Sequence, residues 1–465
     1  MVSSREIKGT AMGRMEIDDL ARASAGAVAA ALRARKISAE EACEAAIGRI
    51  ERLDGAINAV VVRDFDRARL AARDADAALA RGAEGPLLGV PMTVKEAHNV
   101  AGLPTTWGID AAKGFIAAED SVGVARLKAA GAVILGKTNV PPHLGDWQSV
   151  NPVYGRTSHP LDPGRTPGGS SGGSAAALAA GMIPLEFGSD IGGSIRVPAS
   201  FCGVFGHKPS YGAIPQRGHA PPGLDGVDPP IGVIGPMART ASDLDLALTV
   251  LAGPEGEEAA GYSLALPAPR HERLAAHRVL VIAEHPLAKA DREIIAALDR
   301  LAGDLRKAGL SVATSSELVP DLAGAHEVYM TILGAVISRG APAMAAPITA
   351  HAWMAALDAQ LAIRRRWAAL FEAFDVVLAP TFGVVAFPHD DAPFTERRHV
   401  IDGVSTVYGA QVAWPGMASL ANLPATAAPI GATRGGLPIG VQIIGPYLAD
   451  RTTIAFAGHL EREFA

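Results

Sequence analysis

The apolar positions of residues 1–80 recur with a helical spacing, and they predict a layer of helices. The segment 16–36 is amphipathic, and 64–81 carries Ala, Arg and Asp in the pattern of a helix that lies on a surface. Between them a helix begins at Ser38. Glu41, three residues later, completes a capping box, in which the two residues satisfy backbone N–H groups of the first turn.

From residue 85 onwards, short apolar runs alternate with helical patterns. The predicted strands are 87–94, 132–135, 182–187, 233–238, 279–283, 310–313, 375–379 and 439–444. The predicted helices are 120–131, 174–180, one capped by Thr240 and stopped by Gly253, 291–308, the largely helical stretch 321–372, and 450–463. Strands that alternate with helices predict an α/β fold with a mixed, mostly parallel sheet covered by helices on both faces.

Composition argues against several classes of protein, among them nucleic-acid-binding, membrane-spanning and disulfide-rich proteins. The chain has 465 residues, of which 49% are hydrophobic and 19% charged, with a net charge of −6. It has no basic block that would favour nucleic acid, no apolar run long enough for a membrane span and no apolar signal core at the start. Cys43 and Cys202 are too few for a disulfide framework. These features predict a soluble, cytoplasmic protein.

Two clusters of glycine and serine, 168–174 and 188–194, are the strongest chemical signal. Glycine leaves no side chain in the way of a ligand, so a serine among glycines is an approachable hydroxyl. Such clusters are usually loops, and composition alone favours that interpretation. The second cluster, however, places consecutive backbone N–H groups beside the Ser194 hydroxyl, which is what an oxyanion hole next to a nucleophile requires.

Two other segments match known catalytic or binding motifs, but the residues around them do not fit the structures in which those motifs occur. Residues 131–138, GAVILGKT, fit a phosphate loop, but the apolar strand occupies the variable positions and two prolines follow. Residues 168–172, GGSSG, fit the nucleophile elbow of an α/β-hydrolase, but a proline-rich loop precedes them instead of a strand. Neither a nucleotide site nor an elbow serine is predicted.

The region around the two clusters resembles the signature of the amidase signature family. The resemblance rests on PGGSSGGSAAALAAG and GSDIGGSIRVPASFCGVFGHKPS, with further matches at 89–102, 131–141, 146–169 and 420–431. It implies one large α/β/α domain over 1–465 with a central mixed sheet. Within that domain we expect a helical N-terminal layer (1–80), a catalytic core (85–255) and a more variable part (256–465).

None of the 13 histidines lies in a motif that pairs it with a serine, so no Ser/His/Asp set is visible. The resemblance implies a Ser–Ser–Lys catalytic set instead. By position, Ser194 matches the nucleophile, Ser170 the bridging serine after a cis Gly169–Ser170 bond, and Lys95 the base. A lysine at the end of an apolar run is otherwise more often a surface residue. To act as a base it must be neutral, and burial without a carboxylate partner would lower its pKa.

The remaining predicted site residues surround this set. The expected oxyanion donors are the N–H groups of Ile191, Gly192 and Gly193, together with that of Ser194. The expected substrate contacts are Leu144, Gly169 and Trp414. Asp190 and Arg196 are interpreted as a structural ion pair that holds the loop. No metal and no organic cofactor is expected.

These residues predict an amidase that acts on a small molecule through an acyl-enzyme, as a monomer or homodimer without nucleic-acid or membrane partners. The matching segments show no cluster of Arg or Lys that would hold a substrate carboxylate, which favours an apolar or aryl amide. Carbamates and esters could be cleaved by the same site. The alternative is the amidase-type subunit of a glutamine-dependent tRNA amidotransferase, although 213–226 departs from that pattern. A catalytically dead scaffold is disfavoured because all three catalytic positions match.

Overall fold

The computed structural model describes residue 20 and residues 22–224, 226–339 and 347–464. The strands of this part are β1 (Val60–Arg63), β2 (Pro91–Lys95), β3 (Val133–Thr138), β4 (Val150–Asn151), β5 (Gly155–Arg156), β6 (Leu185–Asp190), β7 (Phe205–Lys208), β8 (Val233–Ala238), β9 (Arg278–Val281), β10 (Ser311–Ala313), β11 (Val376–Pro380), β12 (Arg398–Ile401), β13 (Val404–Val407), β14 (Ala425–Ala432) and β15 (Pro438–Ile444).

The α-helices of the same part lie before, between and after these strands. They are Ala25–Arg33, Ala39–Ile57, Phe65–Ala80, Val122–Ala129, Gly172–Ala179, Arg196–Cys202, Ala241–Leu251, Glu258–Gly261, Arg292–Lys307, Leu322–Ile337, Ala350–Ala373, Ala413–Leu420 and Asp450–Phe464. Short 3₁₀ turns occur at Asp110–Ala112, Pro142–Leu144, Leu274–Ala276 and Tyr408–Val412.

An 11-stranded sheet forms the centre, in the order β1-β3-β2-β6-β8-β7-β14-β15-β11-β9-β10. Successive side chains of a strand point to opposite faces of a sheet. Every residue of β2, β3, β6, β7, β8 and β11 is buried, so both faces of the sheet are covered. A continuous apolar core runs from Leu20 to Leu460. The predicted single α/β domain with a mixed sheet is confirmed; its three-part division stays a prediction.

The expectation that the sheet is mostly parallel is wrong. Parallel neighbours occur in two groups, β3-β2-β6 near one edge and β11-β9-β10 at the other. The strands between them, and β1 at the edge, pair antiparallel. These strands pair antiparallel because their connections are loops. Residues 433–437 join β14 directly to β15, and no described helix lies between β7 and β8. Parallel pairs need a crossover that these loops do not provide.

The local signals in the sequence locate most of the remaining elements. Ser38 and Glu41 form the predicted capping box at the start of Ala39–Ile57. The helix predicted over 16–36 is Ala25–Arg33, although residues 16–19 and 21 lie outside the described residues. β3 continues through Lys137 and Thr138, so the GAVILGKT segment is a strand and not a phosphate loop.

Four elements of the core were not predicted: β7, the helices Arg196–Cys202 and Ala413–Leu420, and β14, whose first half is buried. β7 is only four residues long, and β14 is rich in Ala, Gly and Pro, which have low intrinsic strand preference. β14 is a strand because β7 and β15 supply its hydrogen bonds on both sides.

The described residues lack two kinds of feature. No helix among them is both long and apolar enough to cross a lipid bilayer. In the same residues, no group of three or more His, Cys, Asp or Glu side chains is arranged to hold a metal ion.

Candidate active site

Two neighbouring parallel strands bring the first polar groups of the site together. β2 ends at Lys95, and β6 pairs with it in a register that sets Val94 opposite Phe187. Since parallel strands end at the same edge of a sheet, the end of β6 places Ser189 beside the lysine. The Lys95 amine donates to Ser189 Oγ at 2.9 Å.

Lys95 also reaches the first glycine and serine cluster. Its Nζ donates to Ser170 Oγ at 2.6 Å, and the residue has no exposed area. Burial lowers the pKa of Lys95 to about 7, against the opposing charges of Asp190 and Glu186. A group with that pKa is largely uncharged just above neutral pH and can accept a proton from the hydroxyl it contacts.

Tight backbone packing holds Ser170 in place. The Gly169–Ser170 peptide bond is cis, as the resemblance implies. A Cβ added to Gly169 would lie 2.5 Å from the carbonyl oxygen of Asp146, so only glycine fits at this position. Ser149 Oγ accepts from the Gly172 N–H at 3.1 Å, which fixes the start of the following helix.

The two glycine and serine clusters meet at Ser194. The Ser171 N–H donates to the Ser194 carbonyl at 3.1 Å, and Ser194 is 6% exposed. Its hydroxyl makes no hydrogen bond to another described residue. The Lys95 side chain is therefore hydrogen-bonded to the Ser170 side chain, and the Ser194 backbone to the Ser171 backbone. The Ser170 and Ser194 hydroxyls are not hydrogen-bonded to each other.

The turn before Ser194 carries the predicted oxyanion donors, and one of them needs correction. The Gly193 N–H donates to Asp190 Oδ1 at 2.9 Å, so it is already satisfied. The N–H groups of Ile191, Gly192 and Ser194 have no acceptor among the described residues. The N–H groups of Ile191, Gly192 and Ser194 could therefore donate to an oxyanion. The Gly193 N–H could not, because it already donates to the Asp190 carboxylate.

Asp190 and Arg196 form the predicted structural pair. Arg196 Nη2 donates to Asp190 Oδ1 at 2.8 Å, and both side chains are fully buried. Burial by itself would raise the pKa of Asp190, but the charge and hydrogen bonds of Arg196 hold it at about 2. The same carboxylate accepts from the N–H of Ile195 at 3.1 Å, so one charged group orders the whole turn.

Two aromatic side chains that the sequence did not assign support this turn. Trp147 Nε1 donates to the Gly192 carbonyl at 3.0 Å, and the Tyr329 hydroxyl donates to the Ile191 carbonyl at 3.0 Å. Both carbonyls of the turn thus accept side-chain hydrogen bonds, which fix the orientation of these two peptide groups. No local signal in the sequence marks Trp147 or Tyr329, because both lie far from the turn along the chain.

The predicted substrate contacts have different surroundings. Leu144 lies half-buried in the turn Pro142–Leu144 with a φ of 57°. Gly169 is buried directly before Ser170. Trp414 has no exposed area and belongs to an apolar cluster under the sheet. In this structure Trp414 cannot touch a ligand, because neighbouring side chains enclose its ring completely.

Ser189 is a site residue that the sequence analysis does not include. It belongs to β6 and its hydroxyl accepts directly from Lys95. The signal was present: the strand before the second cluster and the strand before Lys95 are parallel neighbours, so their last residues had to meet.

The chain is similar to known proteins of one family over nearly its whole length. The family model described as Amidase matches residues 41–335 and 323–454. A Mycobacterium tuberculosis protein provisionally named amidase AmiB2 is 36% identical over 467 residues, which cover 96% of this chain and 97% of that protein. Indoleacetamide hydrolase of Bradyrhizobium diazoefficiens is 34% identical over 450 residues, 92% of this chain and 84% of its own.

A glutamyl-tRNA(Gln) amidotransferase subunit of Acidothermus cellulolyticus is 32% identical over 497 residues, 96% of this chain and 95% of its own. Among solved structures, a bacterial aryl acylamidase of the amidase signature family has a TM-score of 0.79 at 25% identity, covering 95% of this chain and 96% of that one. With the family model and these relatives spanning nearly its whole length, the chain belongs to the amidase signature family and is a hydrolase acting on amides.

Proposed function

We propose that this enzyme hydrolyses an apolar or aryl amide through an acyl-enzyme on Ser194. The observation that carries the proposal is the contact between the Lys95 amine and the Ser170 hydroxyl, at 2.6 Å in a fully buried setting. An amine whose pKa lies near neutrality and that lies within hydrogen-bond distance of a hydroxyl is suited, in its neutral form, to accept a proton from it.

The proposed reaction moves one proton along three groups. Neutral Lys95 takes the Ser170 proton while Ser170 takes that of Ser194, and Ser194 Oγ attacks the amide carbon. Catalytic hydrogen bonds are often long in a free enzyme and shorten in the substrate complex, as the Ser170–Ser194 contact would have to do. The proton returns through Ser170 to the leaving amine, and water then cleaves the acyl-enzyme.

The developing oxyanion would be received by the backbone N–H groups of Ile191, Gly192 and Ser194. Such donors act strongly because they are already oriented before the reaction, and the loss of one typically costs about 3–4 kcal/mol. The carbonyl contacts of Trp147 and Tyr329 and the carboxylate of Asp190 keep the turn in one conformation.

An apolar acyl or aryl group suits the side chains beside the turn. The Gly192 Cα faces Tyr329 and Val412, each within 3.2 Å of an added Cβ. Two similar proteins are named for aromatic amides, an indoleacetamide hydrolase and an aryl acylamidase. Carbamates and esters present the same carbonyl to the same nucleophile, so they are secondary candidate substrates.

The test is turnover of an aryl amide by the purified chain, set against aliphatic amides, amino-acid amides, carbamates and esters. Ser194→Ala should lower kcat by at least about a thousandfold and abolish the mass shift of the acyl-enzyme. Ser200→Ala, in the buried helix that follows, is the matched control and should keep both. Undiminished turnover in Ser194→Ala would exclude this nucleophile.

The amidotransferase subunit is not favoured as an alternative, since the relatives include hydrolases that are named for their own amide substrates. Residues 213–226 also depart from the pattern of that subunit. Glutaminase activity that appears only with added partner proteins, without hydrolysis of any amide by the chain alone, would reverse this preference.

A further inference from the structure

The Tyr329 hydroxyl is hydrogen-bonded to a peptide group whose N–H has no partner. A peptide group joins the carbonyl of one residue to the N–H of the next. Tyr329 donates to the Ile191 carbonyl at 3.0 Å, so the N–H at the other end of the same peptide is that of Gly192. Gly192 is buried, and its N–H has no acceptor among the described residues. Buried N–H groups rarely lack a partner, so this donor is suited to an acceptor that a bound substrate supplies.

The next peptide of the turn has a different arrangement. The Gly192 carbonyl accepts from Trp147 Nε1 at 3.0 Å, and the N–H of that peptide belongs to Gly193. The Gly193 N–H donates to Asp190 Oδ1 at 2.9 Å. Trp147 therefore holds a peptide whose N–H is already used, whereas Tyr329 holds a peptide whose N–H is available.

A hydrogen bond at one end of a peptide acts on the other end. The Ile191–Gly192 bond is trans, and in a planar trans peptide the C=O and the N–H point in opposite directions. A donor that fixes the carbonyl on one side therefore fixes the direction of the N–H on the other side. Hydrogen bonds in a chain also polarise one another, by about 10–30% per bond, so a carbonyl that accepts makes its N–H a stronger donor.

Packing of its ring positions the Tyr329 hydroxyl. The residue lies in the helix Leu322–Ile337, is 1% exposed and belongs to an apolar cluster. A Cβ added to Gly416 would lie 3.2 Å from Cδ1 of the ring, so the ring packs closely on the helix Ala413–Leu420. Burial raises the pKa of Tyr329, so the hydroxyl keeps its proton at neutral and mildly alkaline pH. Phenylalanine at this position would keep the packing and lose only the donor.

We propose that Tyr329 is a positioning residue of the oxyanion hole: through the Ile191 carbonyl it directs and polarises the Gly192 N–H that receives the developing oxyanion. This inference rests on the proposed acyl-enzyme at Ser194. Tyr329 acts through the peptide and does not itself donate to the oxyanion, because its hydroxyl proton is directed at the Ile191 carbonyl. Trp147, by contrast, stabilises the turn without acting on an available donor.

The first measurement is the turnover of an aryl amide by the full chain with Tyr329→Phe. Because the oxyanion develops only in the transition state, kcat should fall about tenfold or more while KM changes less than about twofold. Tyr447→Phe is the matched control, since it removes a tyrosine donor from another backbone carbonyl, that of Tyr211, at 2.9 Å. This control should keep the wild-type kcat. Undiminished kcat in Tyr329→Phe would overturn the inference.

The second measurement distinguishes a weakened donor from a general loosening of the turn. An activated aryl ester with a ¹³C-labelled carbonyl forms the acyl-enzyme, whose carbonyl stretching band in the infrared moves to lower wavenumber as hydrogen bonds to its oxygen strengthen. Tyr329→Phe should move this band to higher wavenumber, whereas Trp147→Phe should leave it in place. No shift in Tyr329→Phe, or an equal shift in both variants, would overturn the inference. A wild-type chain that shows no acyl mass shift at Ser194 would instead contradict the proposed function.

Discussion

The behaviour of Lys95 follows from its dry surroundings more than from its chemical identity. An exposed lysine amine is charged at neutral pH, with a pKa of about 10.4. Here the side chain has no exposed area, and burial outweighs the two carboxylates that act on it. Because the carboxylates of Asp190 and Glu186 are committed to other hydrogen bonds, neither forms an ion pair with the amine.

The first prediction concerns the pH dependence of turnover. Lys95 is protonated below a pKa of about 7 and neutral above it, so kcat/KM should rise through about pH 7 and then level off. Lys95→Met should lower kcat by at least about a hundredfold and flatten this rise, because general-base catalysis typically contributes that much. Lys128→Met, at a half-exposed salt bridge, is the control. A mutant that kept the wild-type rise would remove Lys95 as the titrating group.

The second prediction concerns Ser189, whose hydroxyl accepts a second hydrogen bond from the Lys95 amine. Ser189→Ala removes one hydrogen bond to Lys95, worth about 0.5–1.5 kcal/mol, so kcat on an aryl amide should fall two- to tenfold with KM unchanged. Ser171→Ala is the control, since Ser171 Oγ contacts the Ser189 carbonyl at 3.4 Å and not the amine. Equal losses in both variants would argue against a specific role of the Ser189 hydroxyl.

Among the elements, the turn between β6 and the helix Arg196–Cys202 depends on one carboxylate. Asp190 ends the strand, accepts from three backbone N–H groups of the turn and pairs with the arginine that begins the helix. A buried pair of this kind fixes a conformation, and removal of one partner leaves an uncompensated charge.

The third prediction follows from this arrangement. Asp190→Asn should lower the free energy of unfolding by about 3–5 kcal/mol, because Arg196 would remain charged and buried. Asp162→Asn breaks a half-exposed pair with Arg165 and should cost less than about 1 kcal/mol. Urea denaturation of both variants measures the difference, and similar midpoints would show that burial does not strengthen the Asp190–Arg196 pair.

At the scale of the whole molecule, antiparallel strands join the two parallel groups of strands. The last helix is hydrogen-bonded to one of these antiparallel strands, β7, and to the residues that follow it. Asp450, at the start of Asp450–Phe464, accepts from the Ser210 N–H at 2.8 Å and its hydroxyl at 2.7 Å. It also contacts His207 Nε2 at 3.1 Å, on β7. The C-terminal helix is therefore bonded to the end of the strand that follows the signature.

The fourth prediction is that Asp450→Ala weakens the entire fold and not the C-terminal helix alone. Loss of these buried contacts should cost about 2–4 kcal/mol, since three donors are left without an acceptor. Activity and tryptophan fluorescence should fall together in urea, because the largest apolar cluster takes residues from near both ends of the described chain, Leu20 to Leu460. Asp304→Asn, in an exposed pair with Lys307, is the control. Separate transitions for the two probes would contradict a single cooperative unit.

The sequence by itself determined the capped helices, most strands of the two outer groups and the resemblance to the family, and that resemblance implied the cis bond before Ser170. These depend on local patterns and on motifs whose residues are close together in the chain. Only the tertiary structure decided which groups were available for chemistry. Asp190 occupies the Gly193 N–H, neighbouring side chains enclose Trp414, and β6 brings Ser189 to Lys95. Each of these outcomes comes from contacts between segments that are distant in sequence or adjacent only in the sheet, where neither periodicity nor spacing carries information.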